Sequence, residues 1–159
     1  MPKAYLSLGS NMGDKRAMIA RALSALAAHP EVRLVTRSAD YRTPPWGKTD
    51  QDWFVNACAV VETDLSPEQL LELCLTTERD LGRERRERWG PRVIDIDLLA
   101  YDAVTMDTPR LTLPHPQLTE RAFVLVPLAA VAPDLVIADA TVAAWRARTD
   151  AAGIEVLTS

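Results

Sequence analysis

Two aspartates one residue apart, Asp95 and Asp97, lie in a stretch from Val93 to Leu99 that is rich in β-branched residues and reads as a strand. Successive strand side chains point to opposite faces, so the two carboxylates share a face, about 7 Å apart at Cα. Val93 and Leu99 fall on that same face; Ile94, Ile96 and Leu98 fall on the other. Paired carboxylates in mid-strand are costly unless something positive sits between them. A divalent cation is the obvious candidate, and oxygens that leave room for water and phosphate suit magnesium. Just upstream, Arg83, Arg85, Arg86, Arg88 and Arg92 crowd the segment before and around the Gly90-Pro91 break. Alone, an Asp-x-Asp is often just a polar strand face, and an arginine run a solvated surface or a nucleic-acid patch. An acidic pair and an arginine cluster joined by one Gly-Pro break point instead to polyphosphate chemistry.

The bulk numbers narrow the setting. A chain of 159 residues with 48% hydrophobic and 25% charged residues suits one soluble globular domain, residues 1–159, with a real core. The net charge of −4 disfavours nucleic acid and anionic membranes as partners, so the basic cluster is a local feature. Cys58 and Cys74 lack metal-ligand spacing and read as buried thiols in a reducing compartment. A strand beginning at Lys3 leaves no room for a signal peptide, and no apolar run reaches membrane-spanning length, so the expectation is cytoplasmic.

The elements that must position the acidic pair follow from periodicity. Ala4, Leu6 and Leu8 alternate with Tyr5, Ser7 and Gly9, a strand that Gly9-Ser10-Asn11 should end as a turn. From about Asp14, Ile19, Ala22, Leu23 and Leu26 repeat at helical spacing, closed by His29-Pro30. Val32 to Tyr41 reads as one strand, Arg42 to Asp52 as a loop stiffened by Pro44 and Pro45, and Phe54 to Thr63 as a strand. Ser66-Pro67-Glu68-Gln69 is a helix start with a serine cap, proline at N1 and glutamine at N3. Its buried stripe is Leu70, Leu73, Cys74, Thr77 and Leu81, with Gly82 as the stop. Glu78 near its end is either an ordinary exposed residue or a polar contact at the mouth of the arginine loop. After the Asp-x-Asp strand come a short hairpin over residues 101–113, rigid Pro114-His115-Pro116 and an apolar helix reaching Val131. Beyond Pro133 only a short strand (Leu135 to Ala138) and a helical turn near Trp145 stand out. The order is β-α-β-β-α-β with additional C-terminal elements. That is an α+β, ferredoxin-like sandwich with a mostly antiparallel sheet and helices on one face. Asp95 and Asp97 would then project from the open face.

Several short motifs occur in a fixed order: Gly9-Ser10-Asn11, Tyr41-Arg42-Thr43-Pro44-Pro45, Phe54-Val55-Asn56, Leu81-Gly82-Arg83-x-Arg85, and Arg88-Trp89-Gly90-Pro91-Arg92-x-Ile94-Asp95-x-Asp97. Pro114-His115 and Arg121-x-Phe123 follow. Over residues 3 to about 137 the chain closely resembles the 6-hydroxymethyl-7,8-dihydropterin pyrophosphokinases of folate biosynthesis. The resemblance implies attack of the pterin hydroxymethyl oxygen on the β-phosphorus of ATP, giving the pterin diphosphate and AMP. It implies two Mg²⁺ ions with ATP on Asp95 and Asp97, and Arg83 and Arg92 as catalytic arginines stabilising phosphate charge. Thr43, Pro44, Trp46, Phe54, Asn56, Trp89 and Phe123 match the pterin pocket, with Trp89 on a covering lid. Aromatic faces suit a flat ring and asparagine suits its edge. Glu78, Arg85, Arg88, Trp89, Arg92, Arg110, Thr112, His115 and Arg121 match ATP-binding positions. The implied partners are the two small-molecule substrates, for a monomer with no nucleic acid or membrane. Leu75 stands where glutamine is frequent in the family, and Trp46 where leucine is common.

Competing readings explain less. No Gly-x₄-Gly-Lys-Ser/Thr loop occurs, which excludes a P-loop kinase on motif grounds. A nucleotidyl transferase or cyclase-like palm leaves Pro44-Pro45, Asn56 and Phe123 unexplained, and 159 residues is short for a sugar-nucleotide glycosyltransferase. An RNA-binding sheet with stacking Trp and Phe would have to tolerate two aspartates on its binding face. No histidine or lysine stands out as the base for the hydroxyl; Asp97, water and a metal-acidified alcohol are the alternatives.

Overall fold

The structure is a computed structural model and describes residues 1–44, 52–82 and 93–158. The alternation at the start of the chain makes β1 (Lys3–Ser10). Helix α1 (Lys15–Ala27) follows, with Asp14 as its cap: the Asp14 carboxylate accepts the Ala17 N–H at 3.1 Å. Next come β2 (Val32–Arg37), β3 (Asp40–Thr43) and β4 (Phe54–Thr63). Helix α2 (Pro67–Gly82) opens with a reciprocal capping box, Gln69 N–H to Ser66 Oγ at 3.1 Å and Ser66 N–H to Gln69 Oε1 at 2.9 Å. Strand β5 (Asp95–Tyr101) then carries the acidic pair. Short hairpin strands β6 (Met106–Asp107) and β7 (Thr112–Leu113) precede a 3-10 turn (Leu118–Glu120) and α3 (Ala122–Val131). The chain continues with β8 (Val136–Ile137), β9 (Ala140–Thr141), α4 (Val142–Ala147) and β10 (Glu155–Leu157).

Among the described residues, six strands form the main sheet, in the order β10-β3-β4-β1-β5, with β2 beside β3 on the same edge of β4. Every pairing in it is antiparallel. This is the expected ferredoxin-like order: β1 lies between β4 and β5, and α1 and α2 cover one face. Ala4, Leu6 and Leu8 of β1 and Ile96 and Leu98 of β5 meet Ile19, Leu23 and Leu26 of α1 and Leu70 and Cys74 of α2 in the larger core. The C-terminal additions pack on the opposite face. There Val124, Leu125 and Leu128 of α3 and Val142 of α4 bury against Cys58, Leu99 and Ala100. The Cys58 thiol donates to the Val124 carbonyl at 3.6 Å, so α3 is seated directly on β4.

Four expectations change. The stretch from Val32 to Tyr41 is two strands. It breaks at Ser38, whose N–H donates to Cys58 O at 2.8 Å while its hydroxyl accepts the Cys58 N–H at 2.9 Å. The hydroxyl replaces a backbone acceptor and lets the strand kink. Gly9 and Ser10, read as a turn, are the last residues of β1 and pair with both neighbours or with β4. The acidic strand begins at Asp95, so Val93 escapes the alternation and packs in the helix-side core. Residues 155–157, which carry no periodic signal, form the edge strand β10, with Val156 opposite Tyr41.

Candidate active site

Sheet register assembles the site on the face away from α1 and α2. Asp97 stands opposite Ser7, and Ser7 opposite Cys58. Asp95 stands opposite Gly9, Gly9 opposite Asn56, and Asn56 opposite Tyr41. A cavity of about 150 Å³ rises over this floor, lined by Ser7, Gly9, Thr43, Pro44, Phe54, Asn56, Asp95, Asp97, Arg121 and Phe123. Of the residues assigned to the pterin, Thr43, Pro44, Phe54, Asn56 and Phe123 are together here. Pro45, Trp46 and Trp89 lie outside the described residues, as do Arg83, Arg85, Arg86, Arg88 and Arg92.

Each lining group has a local cause. Asn56 is buried, and its Oδ1 accepts the Thr43 hydroxyl at 2.5 Å, which fixes the amide with its Nδ2 toward β1. Phe54 follows Trp53, whose ring takes Lys15 Nζ at 3.5 Å and Arg42 Cζ at 4.8 Å from its centroid. Lys15 also pairs with Asp52 at 3.0 Å, so cations from α1 and β3 clamp the start of β4. Phe123 is brought over the cavity by the docking of α3, with the Arg121 guanidinium 5.6 Å from its ring centroid and bonded to Gln117. Arg121, expected on the nucleotide side, therefore lines this first cavity.

A second cavity, about 300 Å³, opens between α2, β5 and the β6-β7 hairpin. Leu71, Leu75, Leu98, Leu111 and Pro109 give it apolar walls, and Glu78, Asp97, Thr108, Arg110, Thr112 and His115 supply its polar groups. Glu78, Arg110, Thr112 and His115, all assigned to ATP from the sequence, thus line one cavity. Arg110 pairs with Glu72 at the surface. Asp97 lines both cavities.

Two contacts bear on the acidic pair. Glu78 reaches from the last turns of α2 to accept the Ile96 N–H at 2.6 Å, between the two aspartates. His115 Nδ1 accepts the Gln117 N–H at 3.2 Å, so in the neutral ring the proton is on Nε2. Burial holds His115 below the usual imidazole value, with Arg121 adding to the depression and Asp97 opposing it. The donor set fits magnesium. Asp95 and Asp97 are half-buried on one face, and among the described residues no third His, Cys, Asp or Glu completes a cage with them. One or two carboxylates with the remaining positions left to water and phosphate is how that ion is usually held.

Sequence reasoning missed Ser7 and Gly9 as floor residues, although β1 alternation already aligned them with each other. Of the apolar walls of the second cavity it singled out Leu75 and missed Leu71, Pro109 and Leu111.

The family model described as 7,8-dihydro-6-hydroxymethylpterin-pyrophosphokinase (HPPK) matches residues 5–133. A 2-amino-4-hydroxy-6-hydroxymethyldihydropteridine pyrophosphokinase of Methylorubrum extorquens is 61% identical over 155 residues, spanning 98% of each chain. The protein of that name from Pseudomonas aeruginosa is 44% identical over 137 residues, 86% of this chain and 85% of the relative. Among solved structures, the wild-type HPPK-DHPS of Plasmodium falciparum with pteroate superposes with a TM-score of 0.74 at 16% identity. That likeness in fold covers 92% of this chain and 42% of the larger protein. Matched over most of its length and similar end to end to a relative at 61% identity, the chain belongs to the 7,8-dihydro-6-hydroxymethylpterin-pyrophosphokinase family.

Proposed function

We propose that the first cavity holds the pterin, the second holds ATP, and Asp97 stands where the two substrates meet. The chain transfers pyrophosphate from ATP to the hydroxymethyl group of 6-hydroxymethyl-7,8-dihydropterin, giving the pterin diphosphate and AMP in folate biosynthesis. The observation that carries the site assignment is the sharing of one carboxylate by an amide-and-aromatic cavity and an arginine-and-histidine cavity.

In this reading Phe54 and Phe123 take the faces of the ring, and the Asn56 amide, oriented by Thr43, meets its edge. Thr112, His115 and Arg110 serve the nucleotide, with His115 neutral and able to donate from Nε2. Apolar Leu71 and Leu75 suit the flat base. Asp95 and Asp97 would hold two magnesium ions, which when bound neutralise phosphate oxygens and help align the attacking hydroxyl. Arg83 and Arg92, assigned from sequence alone, supply planar forks for the charge on the transferred and leaving phosphates. Trp46, Trp89, Arg85 and Arg88 are likewise proposed from sequence as covering and nucleotide-side groups. Catalysis is then mostly positioning and electrostatics. The hydroxymethyl oxygen bonds to the β-phosphorus, the bond from that phosphorus to the α-phosphate oxygen breaks, the hydroxyl proton is released to solvent directly or by way of Asp97, and AMP departs.

Residues 1–159 are proposed to act as one domain, a reading supported by a sheet that takes strands from both ends of the chain. Among the described residues no helix is long and apolar enough to cross a membrane. A cytoplasmic monomer is the working proposal. Incubating the protein with Mg²⁺-ATP and the hydroxymethyl pterin should yield AMP in step with pterin diphosphate. ADP as the product would indicate single-phosphate transfer, and salt-dependent RNA binding without ATP turnover would overturn the assignment.

A further inference from the structure

Gly9 sits in mid-floor, opposite Asn56 on one side and Asp95 on the other. It has no left-handed backbone to account for glycine. Its reason is a close approach: a Cβ built there would lie 2.6 Å from Asn56 Nδ2, whereas the next nearest atoms, Asn56 Cγ and Val55 O, lie at 3.7 and 3.9 Å. The Asn56 amide therefore occupies the space that a side chain at position 9 would need.

That amide cannot retreat freely. It is 5% exposed, its Oδ1 is held by the Thr43 hydroxyl at 2.5 Å, and its Nδ2 is directed toward the Leu8 carbonyl at 3.5 Å. Asparagine has two side-chain torsions, so withdrawing Nδ2 from β1 also swings Oδ1 away from Thr43.

We propose that Gly9 is a positioning residue for the pterin: its bare α-carbon lets the Asn56 amide lie against β1 in the orientation that Thr43 fixes. The proposal rests on the first cavity being the pterin cavity, and it concerns no group that itself reacts.

The test is a double-mutant cycle with Gly9→Ala and Asn56→Ala, read as the dissociation constant of the hydroxymethyl pterin in calorimetry, with melting temperature alongside. Gly9→Ala should weaken pterin binding about tenfold, the worth of one lost hydrogen bond. Affinity for a non-hydrolysable ATP analogue should stay within about twofold. In the Asn56→Ala background, the same substitution should cost almost nothing, because the amide it collides with is gone. Wild-type pterin affinity in Gly9→Ala, or an equal cost in both backgrounds, overturns the proposal. Should Gly9→Ala not fold, the double variant should fold, since the methyl enters the space that the amide vacated; failure of both overturns the proposal too. If Asn56→Ala alone leaves pterin affinity unchanged, the cavity assignment fails and this inference goes with it.

Discussion

Glu78, assigned to the nucleotide and placed on the wall of the second cavity, also holds the chain's own backbone through one carboxylate oxygen. Replacing it with alanine removes the acceptor of the Ile96 N–H, a contact of 2.6 Å. Strand β5 lies at the edge of the main sheet, so among the described residues no further strand takes that donor. A hydrogen bond to a charged group contributes about 1.5–3 kcal/mol. Glu78 is only half-buried and water can partly replace it, so the expected loss is about 1–2 kcal/mol. For a chain of this size that lowers Tm by roughly 3–6 °C. Glu78→Gln keeps a neutral acceptor and should lose about half as much. The freed amide lies between Asp95 and Asp97, so affinity for Mg²⁺-ATP should also fall, by up to about tenfold. Calorimetry on the ligand-free protein and hydrogen exchange at the Ile96 amide separate the two roles. A residue that serves only the nucleotide would raise KM for ATP and leave both ligand-free measurements unchanged; that result would refute the anchoring argument.

Asp97→Ala should abolish AMP formation while far-UV circular dichroism and Tm stay near wild type, because the side chain is half-buried and packs no core; substantial turnover would contradict its role. The depressed His115 value gives a pH effect of definite sign. Unfolded chains take up the imidazole proton near pH 6.5 while the native state resists it, so stability should fall as pH drops below about 6.5 and level off below the native value. Urea midpoints should trace that slope, and His115→Asn should remove it. Burial raises the Cys58 thiol, and burial, with Glu78 and Asp97 adding, pushes Cys74 up to about 12. Neither should react with a disulfide reagent at about pH 8 until the protein is unfolded, and fast native reaction would show the burial to be wrong.

Features legible in the sequence were those whose causes are local. The Ser66–Gln69 box, the helix starting near Asp14 and the alternation of β1 each depend on neighbours within a few positions. The side of β5 that bears Asp95 and Asp97 followed from period two alone. What stayed hidden depends on distant partners. Ser38 breaks its strand because Cys58, across the sheet, can use its hydroxyl. Strand β10 exists because β3 offers a free edge, and Gly153 before it brings the turn against Pro44, 3.5 Å from where a Cβ would stand. The bond from Glu78 to the Ile96 N–H stayed hidden because nothing in the local pattern reveals a donor on the facing strand.

The residues at the centre of the site contribute space rather than groups. Strands in a sheet stand about 4.8 Å apart, so Asp95 and Asn56, separated by β1, spring from backbones about 10 Å apart. Between them is Gly9, and the next row toward the sheet's middle has Ser7 between Asp97 and Cys58. Were either position filled by a valine or a leucine, as strand propensity favours, the carboxylates and the amide would face a ridge across the floor of the first cavity. The low propensity of glycine in a strand costs about 1 kcal/mol or less. The well-packed cores on both faces of the sheet are large enough to absorb it. The small side chains of β1 at Ser7 and Gly9, where the first cavity opens, therefore shape the candidate site as much as the acidic pair does.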